Sequence, residues 1–504
     1  MAMTPLNALL HRARTCPDGT AFIFNDVVWT CRDLLEAVER LSRALLARGV
    51  RPGDRVVLHM PNRPEMAVAL YACFRLGAIA CPTNTRLKAA ELRALFQRLQ
   101  PALYLGEQQV YANVETIEPH ILAPERRFVI AENDACNHAM PWSALFAGAG
   151  APPMPPEPGN DAPAVLLATS GTTGQPKFVT HTAATMAASV AVLPHIDLDA
   201  AQTVLVMCPM VHASGLFTVL GGMGFGAPMV LVERFDPDVV LDRIEAHACT
   251  WILGVPFMYD ALLDRQRQRK RAVDSLLHCR SAGDVCPEQL QSDFETVFGV
   301  KLGNIWGASE VIGAHCPASQ PGPVSRTVPG AECRVVDDSG RDVPRGEVGE
   351  FLIRGPYVTV GYWAGPDRIE PATRDGWYHS GDLMRQGEAD ELWFVGRKKD
   401  VIVRGGSNVS PVEVEWALAS HPLVHDAAVF GLPDDVLGQR VAAVVQLSDG
   451  AGEGAVSAIL RDTRQALADY KVPERLLVVD AVPRNPIGKI DRRAAAAAMI
   501  DRAA

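Results

Sequence analysis

The sequence predicts an α/β protein: a large N-terminal domain of two pseudo-symmetric α/β sub-domains plus a small β unit, followed by a small α+β C-terminal domain. Three observations carry this. Strand-like and helix-like runs alternate from Arg55 to Glu107 and again from Thr203 to Gly307, as in mostly parallel sheets. From Pro329 the apolar period shortens to two, which suits a β unit spanning about 329–396. After the basic cluster "GRKKD" (Gly396 to Asp400) come a hairpin, a helix and two strands, so the boundary is placed between 396 and 397.

The elements follow in order. "MAMTPLNALLHRARTCPDGT" reads as a short amphipathic helix without the apolar core of a signal peptide, so a cytoplasmic location is expected. "RVVLHMP", "PEMAVALYACFRLG", "AIACP", "KAAELRALFQRLQ" and "ALYLGE" make strand, helix, strand, helix, strand. The Pro-rich bridge Gly148 to Pro163 then separates the two sub-domains. The second sub-domain repeats the pattern, and Thr203 to Val232 shares the strand-helix-strand layout of Arg55 to Pro82, hinting at internal pseudo-symmetry. Gly215 to Val232 is uncharged, but five glycines and Pro228 argue against a membrane span. In the last part "VIVRGGSNVSP" is a hairpin, "VEVEWALASH" a helix, "DAAVFG" and "VAAVVQL" strands, and "SDGAGEGA" a loop.

Composition narrows the function. The 504 residues hold 48% hydrophobic and 21% charged side chains, enough for a large core in several domains. A net charge of -10 without a dense Lys/Arg block excludes a nucleic-acid footprint. The 11 cysteines are scattered without a CxxC pair, which indicates neither a zinc ribbon nor a disulfide framework.

The stretch "ATSGTTGQPKFVT" (Ala168 to Thr180) concentrates hydroxyls, glycines and a lysine in a phosphate-gripping pattern. It is not a Walker A loop, because Gln175 and Pro176 separate Gly174 from Lys177. Strand-like runs flank it on both sides, so it joins strand to strand and gains little from a helix dipole.

"TSGTTGQPK" resembles the signature of the adenylate-forming superfamily of acyl-CoA synthetases, adenylation domains and luciferases. The resemblance recurs at "WGASE" (Trp306 to Glu310), "WYHSGDL" (Trp377 to Leu383), "GRKKDVIVRGGSNVSPVEVE" (Gly396 to Glu415) and "PRNPIGKI" (Pro483 to Ile490), in the family's order. The chain looks most like the aryl-CoA and medium-chain acyl-CoA ligases. The resemblance implies a C-terminal domain that swings about a hinge at Lys399. It also implies three co-substrates or ions, ATP, Mg2+ and coenzyme A, and a small carboxylic acid as the partner. If the chain self-associates, a homodimer is the assembly expected.

Site residues carry over by position. Thr169, Ser170, Gly171, Thr172, Thr173, Gly174 and Lys177 match the phosphate grip. Glu310 matches the Mg-associated acid, and a carboxylate with nucleotide phosphates is the usual Mg2+ environment. Trp306 and Ser309 stand where the family usually has Tyr and Thr; the indole keeps a flat face for adenine and the serine keeps the hydroxyl. Gly283 and Asn304 match positions bordering the adenine. Asp382 matches the ribose carboxylate, and Arg397 the residue reaching that ribose from the domain junction. Lys489 matches the mobile lysine that steadies the carboxylate and α-phosphate. Gly405, Gly406 and Ser407 match the thiol side.

"CPMVHASGLF" (Cys208 to Phe217) matches the acyl-pocket motif, with His212 flanking the carboxylate. Ala213 stands where amino-acid adenylation domains place an Asp, and a buried ammonium without a partner is costly, which disfavours amino acids. Neither "HASGLF" nor "WGASEVIG" offers a cation for a second carboxylate. Small residues (Ala213, Ser214, Gly307, Gly313) beside Phe217 and Ile312 predict an apolar monocarboxylate: aromatic, alicyclic or medium-chain. The alternatives are an acyl-AMP ligase loading a carrier protein, a luciferase-type oxygenase and a catalytically silent nucleotide-binding homologue; Glu310, Asp382, Arg397 and Lys489 all being present argues against the last.

Overall fold

The computed structural model describes residues 3–131, 137–147, 153–169, 176–366, 368–405, 407–434, 436–448, 450–452, 454–485 and 488–502. Among them lie four sheets. The 9-stranded sheet runs in the order 368–370, 361–365, 177–182, 163–169, 79–82, 55–59, 103–107, 127–130, 140–141. Its centre is parallel and its 163–169/177–182 pair antiparallel. The first 7-stranded sheet runs 302–304, 278–281, 251–254, 204–206, 229–231, 20–24, 27–30, parallel except for the last pair.

Both sheets are buried on both faces, as parallel sheets are. The period of two divides their side chains between cores. Val56 and Leu58 enter the core shared by the two sheets while Val57 faces outward, and Val204 and Val206 do the same while Leu205 faces outward. Helices Cys31–Ala47, Pro64–Leu76 and Ala213–Phe225 contribute to that shared core.

The two layers interleave in a way the order of segments conceals. The N-terminal hairpin 20–30 pairs with the second sheet through Phe22 opposite Met229, whereas strand Gly361–Gly365 pairs with the first through Tyr362 opposite Val179. Neither pairing has a local sequence signal, since each joins residues far apart in the chain. Asn62 fastens the layers together: its Nδ2 donates to the Cys208 carbonyl at 2.9 Å and the Val232 carbonyl at 3.1 Å, and its Oδ1 accepts from Met210 N at 2.7 Å.

Gly215 to Val232 resolves into a 13-residue helix, Ala213–Phe225, and the strand Met229–Leu231. Among the described residues no helix is long and apolar enough to cross a membrane.

The β unit is a 7-stranded antiparallel sheet that already begins at His315–Pro317, because this strand and Val324–Thr327 pair onward to Glu391–Arg397. The remaining sheet, 407–409, 402–404, 438–447, 424–434 with 475–479 alongside, carries helices Pro411–Ala419 and Arg492–Asp501. Glu415 is buried there, accepts from Arg492 Nη2 at 2.7 and 2.8 Å and from Val429 N at 2.9 Å, and burial lifts its carboxyl to about 7.

Candidate active site

A cavity of about 1780 Å³ lies outside the carboxyl ends of the parallel strands of both sheets. Pro61 follows strand 55–59, His212 follows 204–206, Gly283 follows 278–281 and Trp306 follows 302–304; all four line it. This is where open α/β sheets bind ligands. The volume exceeds the roughly 300–1,000 Å³ of an ordinary single-ligand pocket, so two ligands fit together.

Of the residues singled out above, Thr169, Lys177, His212, Ala213, Ser214, Phe217, Gly283, Trp306, Gly307, Ser309, Glu310, Ile312, Gly313, Asp382, Arg397, Lys399 and Lys489 line this cavity. Asn304 does not; it is buried beneath, its Nδ2 3.4 Å from the Val324 carbonyl. Gly405 and Ser407 sit on the 402–409 hairpin, away from the lining. Ser170, Gly171, Thr172, Thr173, Gly174 and Gly406 lie outside the described residues. Thr169 pairs with Lys177 across the antiparallel strands, so both ends of the phosphate stretch stand at the cavity.

One wall is charged. Asp382 and Arg397 face each other by register across the pair 377–386/391–397. Asp382 Oδ2 accepts from Trp306 Nε1 at 2.8 Å, and Oδ1 lies 3.2 Å from Arg397 Nε. That second approach is an ion pair outside hydrogen-bond geometry, and Oδ1 has no hydrogen-bond donor. Burial raises the Asp382 carboxyl, with Arg397 and the indole N–H opposing.

Glu310 is held from two sides. The Tyr362 hydroxyl donates to its Oε1 at 3.1 Å, and its carbonyl accepts from Thr359 N at 2.8 Å. Lys177 Nζ rests 4.6 Å from the centre of the Tyr362 ring, in cation–π contact. His181, neutral because burial pushes it down to about 4, donates through Nε2 to the Ser309 carbonyl at 2.8 Å. Burial raises the Tyr362 and Tyr378 phenols, so both stay protonated and able to donate. Among the described residues no three His, Cys, Asp or Glu side chains are grouped to hold a metal ion. A single carboxylate on the cavity lining, as Glu310 is, has the donor chemistry that binds Mg2+ together with phosphate oxygens and water.

Lys489 arrives from the C-terminal domain. Its loop is closed by the Arg484–Ile490 bridge, by Asn485 N to the Lys489 carbonyl at 2.8 Å, and by Lys489 N to Asn485 Oδ1 at 3.0 Å. Gly488 adopts φ +87°, and a Cβ there would lie 2.2 Å from the ring of Phe257 on helix Pro256–Gln268. The loop thus presses backbone against the large domain, which only glycine permits. Burial, then Arg397, lowers the Lys489 ammonium, while Asp284, Asp382 and Glu310 oppose.

Another part of the lining is apolar. His212 precedes helix Ala213–Phe225 without capping it, and burial, with Lys489 and Arg86 adding, pushes its imidazole down to about 4. Beyond it lie Phe217, Leu193, Ile196, Trp251 and Leu253. The Ile196 carbonyl accepts from Trp251 Nε1 at 2.9 Å and Arg280 Nε at 3.3 Å, and the Arg280 guanidinium is paired with Asp197. The two pocket glycines differ. A Cβ on Gly307 would meet only the Val311 carbonyl at 3.9 Å, whereas one on Gly313, at φ +80°, would lie 2.8 Å from Val192 and 2.9 Å from the Ser189 carbonyl. Gly307 leaves open space, while Gly313 serves its own backbone turn and packing.

Sequence reasoning missed Asn62, His181, Tyr362, Tyr378 and Phe257. Tyr378, inside the motif "WYHSGDL", Tyr362, in the compact run "GYW", and His181, four residues past Lys177, carry a local signal; Asn62 and Phe257 carry none.

Residues 9–363 match the AMP-binding enzyme family model, and residues 413–489 match that of the AMP-binding enzyme C-terminal domain. The chain is 35% identical over 492 residues to a feruloyl-CoA synthase of Amycolatopsis sp, covering 95% of this chain and 96% of that one. It is 32% identical over 483 residues to the indoleacetate–CoA ligase of Aromatoleum aromaticum, covering 94% of each. Its fold superposes on the crystal structure of ATP-bound MatB from Rhodopseudomonas palustris with a TM-score of 0.87 at 26% identity, covering 98% of both. The chain belongs to the AMP-binding enzyme family and is an AMP-forming acid–thiol ligase that uses ATP.

Proposed function

We propose that this ligase activates an apolar monocarboxylic acid, aromatic, alicyclic or medium-chain, as its acyl-adenylate and transfers the acyl group to the thiol of coenzyme A. The observation that carries the substrate reading is the uncharged wall beyond His212: no cavity-lining residue of 193–196, 213–225 or 251–254 is charged, and nearby Arg280 is committed to Asp197. A second carboxylate or an ammonium on the acid would be buried there without a partner. The feruloyl and indoleacetate relatives act on acids of this kind.

In this reading Asp382 takes the ribose hydroxyls with Arg397 alongside, Trp306 faces the adenine with Gly283 at its border, and Lys177 with the hydroxyl stretch holds the outer phosphates. A Mg2+ ion on Glu310 would neutralise phosphate charge. Lys489 draws the acid's carboxylate and the α-phosphate together, supplying positive charge where negative charge grows. His212, neutral at pH 7, flanks the carboxylate without adding charge. Withdrawal of Lys489 about Lys399, presenting Gly405, Gly406 and Ser407, then serves the thioester step. The ten cysteines among the described residues are all free, which suits a reducing cytoplasm.

The test is a panel of carboxylic acids assayed for pyrophosphate release with and without coenzyme A. Aryl or medium-chain acids are expected to turn over only with coenzyme A. Turnover of dicarboxylates or amino acids instead would overturn the substrate reading, and release unaffected by coenzyme A would favour a carrier-protein acceptor. Within that panel Gly307→Val is expected to raise KM for the bulkiest acids about tenfold, the cost of displacing one or two methylene-sized groups. KM for ATP should stay unchanged, and an equal rise for ATP would show that Gly307 does not face the acyl group.

A further inference from the structure

We propose that Trp306 is a positioning residue for the nucleotide ribose, acting through Asp382. This rests on the reading of Asp382 as the ribose carboxylate. An indole N–H can only donate, and each oxygen of a carboxylate offers about two lone pairs. Trp306 takes one on Oδ2 at 2.8 Å. Oδ1, 3.2 Å from Arg397 Nε, receives no hydrogen bond at all. Asp382 is only 5% exposed, yet it lines the cavity. Oδ1 has no open surface of its own, so a ligand's donor reaches it once the Arg397 side chain beside it gives way.

The torsion that turns a carboxylate about its own axis is broad and weakly held. In Asp382 the indole bond fixes it. The indole is itself packed against two rings: its centroid lies 4.9 Å from that of His315 and 5.0 Å from that of Phe351, and Ser325 Oγ holds His315 Nδ1 at 2.9 Å. The carboxylate is thereby set to offer Oδ1 and the free lone pair of Oδ2 to two adjacent hydroxyls. Phenylalanine cannot make this bond, and a tyrosine hydroxyl sits at the ring tip, in a different place.

The experiment measures kcat and KM for ATP, 2′-deoxy-ATP and 3′-deoxy-ATP, with saturating acid, on full-length wild type, Trp306→Phe, Trp306→Tyr and Asp382→Asn. Both tryptophan variants are expected to raise KM for ATP about tenfold, the scale of a hydrogen bond to a charged group. They should leave KM for the acid unchanged and shrink the deoxy-ATP penalty. If they raise KM for all three nucleotides by one factor, Trp306 acts only as a packing surface and the proposal falls. If Asp382→Asn leaves KM for ATP unchanged, the ribose reading itself falls. In 15N-tryptophan-labelled protein the Trp306 indole N–H resonance should move on Asp382→Asn, and an unmoved resonance would also overturn the proposal.

Discussion

Lys489→Ala is expected to slow acyl-adenylate formation by about 10²–10³-fold, the usual cost of removing one group placed on developing charge. Transfer from synthetic acyl-AMP to coenzyme A should be nearly unaffected. The reason is geometric: Lys489, with Asn485 and Arg493 from the same part of the chain, lines the cavity alongside Asp382, Arg397 and Glu310, and in the proposed reading the adenylation step needs its charge there while the thioester step does not. Single-turnover assays of the two half-reactions check this. Equal loss in both would mean that Lys489 supports the fold of the site and not one step.

The second large effect is expected at Gly488. Alanine there meets a φ of +87° and a Cβ position 2.2 Å from Phe257, so the loop must lift from the large domain and carry Lys489 with it. The left-handed conformation alone costs a non-glycine residue roughly 1–2 kcal/mol. With the clash, adenylation should fall about a hundredfold, again with thioester transfer spared. Phe257→Leu in the same chain should recover part of the loss by removing the ring while leaving the backbone strain. No recovery would show that the contact with Phe257 does not seat the loop.

The sequence made some of this readable and hid the rest for physical reasons. Alternation of period and run length exposed the strands 55–59, 79–82, 204–206 and 251–254 and the helices between them, because each is a local pattern. That Asp382, Arg397 and Glu310 gather at one cavity was legible because each stands in a short ordered motif. What could not be read was pairing at a distance. The N-terminal hairpin joins the second sheet, and Tyr362 reaches Glu310, only through strand order. Trp306 was read as an adenine platform, and its indole N–H on Asp382 was invisible because those residues meet only when strand 377–386 comes to lie beside the loop after 302–304. Gly313 was read as empty space for substrate. Its missing side chain would point at Val192 and Ser189, a direction that depends on a positive φ no composition reveals.

The central claim is that the acid attacks the α-phosphorus of ATP in the cavity where Lys489, Asp382 and Glu310 meet. It is tested most directly by turning over an accepted acid whose carboxylate is labelled with 18O, with ATP and coenzyme A, and locating the label by mass spectrometry. An acyl-adenylate predicts one 18O in the AMP released and none in pyrophosphate. Label in inorganic phosphate, with ADP as the nucleotide product, would contradict the account.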